Sequence, residues 1–350
     1  MEPARVAGVL ATRTLRGPGM NQRSDSFSIL ACADGDVLVE ALPRGKHRIS
    51  VLPAPGSVVD AHGCETSYPL SLIRAIHASK GLYLCDEIMR EEDPRYVERS
   101  IRHEVLGYVD AVEFAGKRVL DFGCGSGAST MVLARILPPC EIVGVDLEAR
   151  HLRIARLRAE HLRRPAVRFV QSPSGDSLPE DLGLFDYVIF SAVFEHLLPL
   201  ERRVVLPLVW SHVQGGGILF INQTPYRYSP IEMHTTWLPG INYLPDGLAL
   251  RAARCFSKRV ALNADREPLL RDGIRGGTVR EILGILAASG SPILLEPKKD
   301  VGDRIDLWRR SLSPRYAWLK DSIWMSLKLL KLLTGVQLTP DLALAIRKRA

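Results

Sequence analysis

The chain has 350 residues, 46% of them hydrophobic and 24% charged, which excludes a disordered or collagen-like chain and is enough to bury a core without metal or disulfide staples. Lys and Arg number 46 against 39 Asp and Glu, a net charge of +7, and such a balance invites nucleic-acid or anionic-membrane binding. The excess is local, because residues 297–350 hold 12 basic and 5 acidic groups while the rest of the chain is balanced. The six cysteines form no CxxC pair and no zinc spacing, which fits a reducing compartment. Residues 1–17 lack the apolar run of a secretory signal, and no window reaches the ~18 apolar residues of a membrane span. The expectation is a cytoplasmic protein.

The first 66 residues read as a β-rich extension. Ser26–Cys32 and Asp36–Leu42 flank Ala33-Asp34-Gly35, a hairpin signal, and His47–Leu52 is a third strand. Residues 67–116 read as a helical lead-in, with helical spacing from Leu70 and again over Tyr96–Val109. From Lys117 strands and helices alternate. The strands are Val119–Phe122, Ile142–Val145, Val167–Val170, Tyr187–Phe190 and Ile218–Asn222, and the helices are Ala128–Leu137, Glu148–Arg163 and Leu200–His212. Such alternation predicts an α/β fold with a doubly wound, mostly parallel sheet over a 117–222 core. The rhythm lapses over 223–277, too long for an ordinary connection. It resumes with helix Thr278–Ala288 and strand Ile293–Glu296, and ends with strand Leu342–Ile346 after an inserted basic helical segment, 304–335, within the closing stretch 278–350.

The first core strand runs into Asp121-Phe122-Gly123-Cys124-Gly125-Ser126-Gly127. Gly123, Gly125 and Ala128 satisfy the dinucleotide GxGxxG/A spacing, in which glycines let the backbone turn tightly against a pyrophosphate. Asp121 argues against that ligand, since a carboxylate beside the turn repels a pyrophosphate and suits a positive amino group. The loop resembles the D/E-x-G-x-G-x-G motif of class I S-adenosylmethionine (SAM)-dependent methyltransferases, which implies a Rossmann-like sheet of seven strands and SAM as cofactor. Asp146, nineteen residues after Gly127, can accept both ribose hydroxyls from the end of the second core strand. Ser174-Gly175-Asp176-Ser177-Leu178-Pro179 looks like the family's G-D-x-x-L-P stretch, and the resemblance implies Asp176 on the adenine amino group with Ser177 as a backbone donor. The same likeness places Leu147, Ser191 and Glu195 beside the cofactor. Each has a plainer reading: Asp146 as a helix N-cap, Asp176 as a turn residue.

Glu195-His196 resembles the acidic-His pair of ubiquinone-type O-methyltransferases, which carry a further Glu in an E-x-x-E-H metal pattern. Ala192 takes that place here, so no required divalent metal is expected. The Asn/Asp-Pro-Pro-Tyr/Phe and Pro-Cys motifs of nucleic-acid base methyltransferases do not follow the fourth core strand, and nucleic acid is not the expected partner. Within 223–277, Thr224-Pro225-Tyr226-Arg227-Tyr228-Ser229-Pro230-Ile231-Glu232-Met233-His234 and Trp237-Leu238-Pro239 look like the T-P-N-R-x-x-P-x-E-x-H … W-L-P segment of bacterial methyltransferases of polysaccharide and natural-product pathways. Tyr226 stands where that pattern has Asn. The likeness implies a substrate lid that offers Tyr226, Arg227, Glu232 and Trp237 to the acceptor. A neutral imidazole suits removal of an acceptor proton, with His234 the first candidate and His196 the second; both also read as hydrogen-bonding residues that hold their loops.

In the basic segment Ile323, Leu327, Leu330 and Leu333 share one helical face, with Lys320, Lys328 and Lys331 towards another and Arg309, Arg310 and Arg315 before them. That pattern reads as a helix packed on the sheet edge or a partner with a solvated lysine face, or as an interfacial helix at the inner face of a membrane. The expected activity is methyl transfer from SAM to an oxygen, with nitrogen second, of a small-molecule, sugar or lipid-linked glycan acceptor. An RNA methyltransferase and a non-catalytic SAM-binding scaffold are the alternatives, and a homodimer stays open.

Overall fold

The computed structural model describes residues 27–57, 59–312 and 317–350; Ser26 of the first predicted strand, the 1–17 stretch and Arg315 lie outside them. The chain divides into two compact units that meet at Glu92/Asp93, so the boundary falls inside the 67–116 lead-in.

The first unit is an antiparallel meander of β1 (Phe27–Cys32), β2 (Gly35–Ala41), β3 (His47–Pro53) and β4 (His62–Thr66), followed by α1 (Leu70–Lys80) and α2 (Leu84–Glu92). Cys32 pairs with Gly35 across a two-residue Ala33–Asp34 turn, as Asp-Gly foretold. Val37, Val39, Ile49 and Val51 are buried, the period-two face of half-buried strands. Sequence spacing did not reveal β4, whose His62–Thr66 has too few apolar residues to mark a strand.

The second unit is built on a seven-stranded sheet. Its strands are β5 (Arg118–Phe122), β6 (Glu141–Asp146), β7 (Val167–Gln171), β8 (Phe185–Ser191), β9 (Val213–Pro225), β12 (Pro292–Leu294) and β13 (Asp341–Lys348). Their order is β12-β13-β9-β8-β5-β6-β7. The neighbours from β9 to β7 pair in parallel, whereas β13 pairs antiparallel with β9 and β12. Val119 and Leu120, Tyr187–Phe190 and Ile218–Ile221 are buried, the continuous apolar run of strands covered on both faces. The covering helices include α4 (Ala128–Ile136), α5 (Ala149–His161), α6 (Pro199–Ser211) and α9 (Val279–Ala287). The helix expected over 96–109 shrinks to α3 (Arg99–Glu104), because Tyr96 has non-helical torsions.

The 223–277 lapse holds regular structure that its Pro- and Gly-rich sequence concealed. A two-residue ladder joins β10 (Ile231–Glu232) to β11 (Leu238–Pro239), and α7 (Asp246–Phe256) and α8 (Arg266–Arg271) follow. Ile241, Ala249, Ala253, Leu269 and Ile274 form a small core of their own.

The basic segment forms α10 (Arg304–Ser311) and α11 (Ala317–Thr334), with the solvated lysine face corrected. Lys328 bonds Asp303 and Asp306 at 2.8 and 2.6 Å, Lys331 bonds Asp303 at 2.6 Å, and the Lys320 ammonium donates to the Leu312 carbonyl. Met325, Leu329, Leu332 and Leu333 point outward instead. Two carboxylates at the start of α10 outcompete water for the ammonium groups; of the predicted apolar stripe, Leu327 and Leu330 are half-buried while Ile323 and Leu333 are exposed. Among the described residues, no helix is long and apolar enough to cross a membrane.

Candidate functional site

Strand β5 lies between β6 and β8, where the order of connections reverses, and open α/β sheets bind ligands outside the strand C-termini at that point. The glycine loop turns there. Gly123 and Cys124 donate their N–H groups to the Val145 carbonyl at 2.8 and 3.0 Å, and Gly125 N–H donates to Asp146 Oδ2 at 2.9 Å. Gly127 starts α4 with φ of 81°, and a Cβ there would lie 2.7 Å from Ala155 Cβ, so only glycine allows α5 this close. The other Asp146 oxygen accepts the Glu148 N–H at 2.9 Å and faces His151 Nδ1 at 3.7 Å. Burial opposes ionisation of Asp146, but the nearby His151 and the hydrogen bonds from Glu148 and Gly125 outweigh it and hold the carboxyl below its ordinary range.

A cleft of about 650 Å³ opens at this point, lined by Gly123, Asp146, Leu147, Asp176, Val193 and His196 among others. Five of the predicted residues therefore share one surface. Asp176 is exposed and accepts the Ser174 hydroxyl at 2.6 Å, while Ser174 and Ser177 share a hydrogen bond of 2.5 Å. Gly125, Gly127, Ser177, Ser191 and Glu195 are not among the lining residues. Neither is Asp121, which is 2% exposed and accepts the Thr130 hydroxyl at 2.6 Å. Burial pushes its carboxyl up to about 6, against the pull of that bond. Sequence reasoning missed His151, Ser172 and Arg271 in the lining; Arg271 sits 125 residues beyond Asp146, and no local pattern signals it.

After β8 the chain turns through a short 3-10 segment, Phe194–His196. Glu195 is 0% exposed; its Oε2 accepts the Thr224 hydroxyl at 3.0 Å, and its Oε1 has no hydrogen-bond partner. Burial raises this carboxyl to about 7, although His196 draws it down. Nδ1 of His196 lies 2.5 Å from the Arg271 carbonyl, and its Nε2 is 3.8 Å from Glu195 Oε1. The carbonyl can only accept, so Nδ1 carries a proton there and the ring is held with Nε2 turned towards Glu195.

The 223–277 insertion brings His234 to the same place. Its ring centroid is 5.6 Å from that of His196, and Glu195, His196 and His234 each offer one donor atom within 4.8 Å of the others. Burial, reinforced by His196, lowers the His234 pKa and keeps the imidazole neutral, against the pull of Glu232. Gly273, at φ of 88°, leaves room for this meeting; a Cβ there would lie 2.6 Å from His234 and 3.2 Å from Glu195.

A second cavity of about 240 Å³ is lined by Tyr226, Glu232, His234, Trp237, Asn242 and Asp341 among others. Glu232 is turned inward: it is 3% exposed, and its two oxygens accept the backbone N–H groups of His234, Thr235 and Thr236 and the Thr236 hydroxyl. Its carboxylate holds the turn that carries His234. Arg227 donates to the Asn242 carbonyl and is not among the cavity residues. Trp237 is exposed, with the Arg259 guanidinium 5.1 Å from its ring centre.

Residues 119–217 match the family model described as a methyltransferase domain. The chain is 31% identical to the ubiquinone biosynthesis O-methyltransferase of Acinetobacter baylyi over 127 residues, 35% of this chain and 52% of that protein. It is 25% identical to the carboxy-S-adenosyl-L-methionine synthase of Photobacterium profundum over 166 residues, 44% of this chain and 65% of that protein. Among solved structures, the YcgJ protein of Bacillus subtilis aligns over 68% of this chain and 95% of its own, at 16% identity and a TM-score of 0.39. The chain spans about half the length of the ubiquinone-type relatives it matches. Residues 119–217, which supply much of the cleft lining, are thus similar to a methyltransferase domain and lie on a doubly wound sheet.

Proposed function

We propose that this methyltransferase domain binds SAM in the 650 Å³ cleft and moves its methyl group to an oxygen, with nitrogen second, of a small-molecule or glycan acceptor. The observation that carries the reading is the convergence of Gly123, Asp146 and Asp176 from the ends of β5, β6 and β7 around one cleft. The residues fit the ligand chemically. Asp146 is held ionised and can accept two ribose hydroxyls, and Asp176 can accept an amino N–H. Asp121 and Glu195, lifted by burial to about 6 and about 7, gain from a cation nearby. When bound, SAM supplies a methyl group on a positive sulfonium, an electrophile that needs chiefly alignment with a nucleophile.

The acceptor belongs in the 240 Å³ cavity, where Tyr226, Trp237 and the imidazole of His234 face it. His234 is the first candidate to take the acceptor's proton and His196 the second. The relative named as an O-methyltransferase supports oxygen. Many of the basic groups that would favour RNA are already paired, Lys328 and Lys331 with α10 and Lys298 with Asp110. A membrane contact through 304–335 would rest on the exposed Met325, Leu329, Leu332 and Leu333 rather than on lysines; flotation with neutral and anionic vesicles tests it.

Calorimetric titration with SAM, wild type against Asp146→Ala, tests the core of the proposal. The variant is expected to bind about 10–100-fold more weakly, the loss of hydrogen bonds to a charged acceptor. Undiminished affinity overturns the ribose contact. Labelled SAM incubated with lipid, polar-metabolite, protein and RNA extracts then places the acceptor. Label in RNA overturns the small-molecule reading, and SAM binding without label in any fraction points to a scaffold.

A further inference from the structure

We propose that Glu195, His196 and His234 bind one divalent transition-metal ion of the zinc class, at the junction of the two cavities. The short motif after β8 supplies only two donors, Glu195 and His196, because Ala192 stands where a third would be. The fold provides the third donor from thirty-eight residues beyond His196, on the insertion.

Three observations converge. The first is the unpartnered Glu195 Oε1, buried and 3.8 Å from His196 Nε2. A carboxylate oxygen left without a donor in a buried site is costly, and a cation satisfies it. The second is the carbonyl of Arg271 on His196 Nδ1. Metal-bound histidines commonly donate their distal N–H to such a group, which aims the other nitrogen at the ion. The third is Gly273, whose missing Cβ leaves His234 and Glu195 in contact range.

Donor type selects the ion. Two imidazoles and one carboxylate suit zinc and its neighbours, whereas magnesium prefers an octahedron of oxygens. In a tetrahedral zinc site with bonds of about 2.0–2.2 Å, donors stand roughly 3.4 Å apart. The 3.8 Å pair is nearly there, and the trio's donor atoms, all within 4.8 Å of one another, draw closer around the ion. Three protein donors leave a fourth position open. His196 lines the cofactor cleft and His234 the acceptor cavity, so an acceptor hydroxyl can take that position. Its pKa falls when it is bound and its proton passes to water; with the ion in place His234 and His196 act as ligands, and the base role applies to them only in the metal-free protein. This use in catalysis rests on the methyltransferase reading, but ion binding does not.

The test titrates cobalt(II), a spectroscopic stand-in for zinc, into chelator-treated full-length protein and reads visible absorption. Wild type is expected to bind one equivalent with bands of nitrogen and oxygen ligation and no thiolate charge-transfer band. His234→Ala should weaken binding at least tenfold, and His234→Cys should restore it with a new thiolate band. Near-UV circular dichroism checks that each variant is folded. Failure of wild type to bind, a thiolate band in wild type, equal affinity in His234→Ala, or no thiolate band in His234→Cys overturns the site. SAM titration of the same preparations separates the two readings: cobalt binding without SAM binding sinks the methyltransferase proposal alone, and the reverse sinks the metal site alone.

Discussion

The 117–222 core and the 223–277 insertion bring side chains to the same place by different physics. In the core, parallel strands set the positions. Gly123 follows β5 directly, Asp146 closes β6 and Asp176 lies in the loop after β7, so placing the strands largely places the residues. The insertion has a two-residue ladder and two helices, and its site-facing turn hangs on side chains. Glu232 gathers three backbone N–H groups and one hydroxyl, Arg227 and Arg275 cap the Asn242 carbonyl, and the Ser257 hydroxyl holds the Thr236 carbonyl at 2.9 Å. A strand end survives most single substitutions because many ladder bonds share the load. A turn tied to one carboxylate does not.

The largest expected effect follows from cutting that tie. Glu232→Gln turns an amide NH2 towards N–H groups that the carboxylate accepted, and should cost about 3–5 kcal/mol of local stability. Hydrogen exchange should lose protection over 231–237 while SAM affinity at the core stays within threefold of wild type. Equal loss of SAM binding would show that the two regions do not behave separately.

A middle-sized effect belongs to the core. Asp121 has its carboxyl raised from 3.8 to about 6 by burial, so the folded state holds a proton that the unfolded state has released. Its contribution to stability is fully present below about 3.8 and is lost as pH rises through about 6. Asp121→Asn keeps an acceptor for Thr130 without the charge. Its stability relative to wild type should rise by roughly 2–3 kcal/mol between pH 4 and pH 7, read from urea unfolding at each pH. A flat difference would mean that the charge is compensated.

The smallest effect is at the exposed tie between the regions. Arg271 on α8 bonds Glu201 on α6 at 2.8 Å and Glu267 on its own helix at 3.2 Å. All three side chains are solvent-exposed, so Arg271→Ala should cost less than about 1 kcal/mol. A larger shift in thermal midpoint would make this pair a structural hinge pin between core and insertion.

The same contrast explains what was legible. Periodicity located the five parallel strands, four of them as the apolar runs needed where both faces of a sheet are covered and the edge strand β7 by its shorter pattern, and the glycine loop announced the cleft. It did not reveal β4, α7 or α8, whose apolar residues are few or interleaved with Pro and Gly. Charge counting found the basic tail but not that Lys328 and Lys331 are paired, because their partners Asp303 and Asp306 lie across a helix–helix contact. Glu232 read as a substrate ligand, whereas its oxygens are occupied by its own turn.

By itself, the sequence determined the sheet, the glycine loop and the acidic residues at the strand ends, because each follows from local spacing within one βα unit. Only the tertiary structure decided that Asp121 sits beneath the cleft rather than in its lining and that His234 meets Glu195 and His196. Those facts depend on how segments distant in the chain share buried space, and in that space an unpaired carboxylate oxygen must find a cation or a proton.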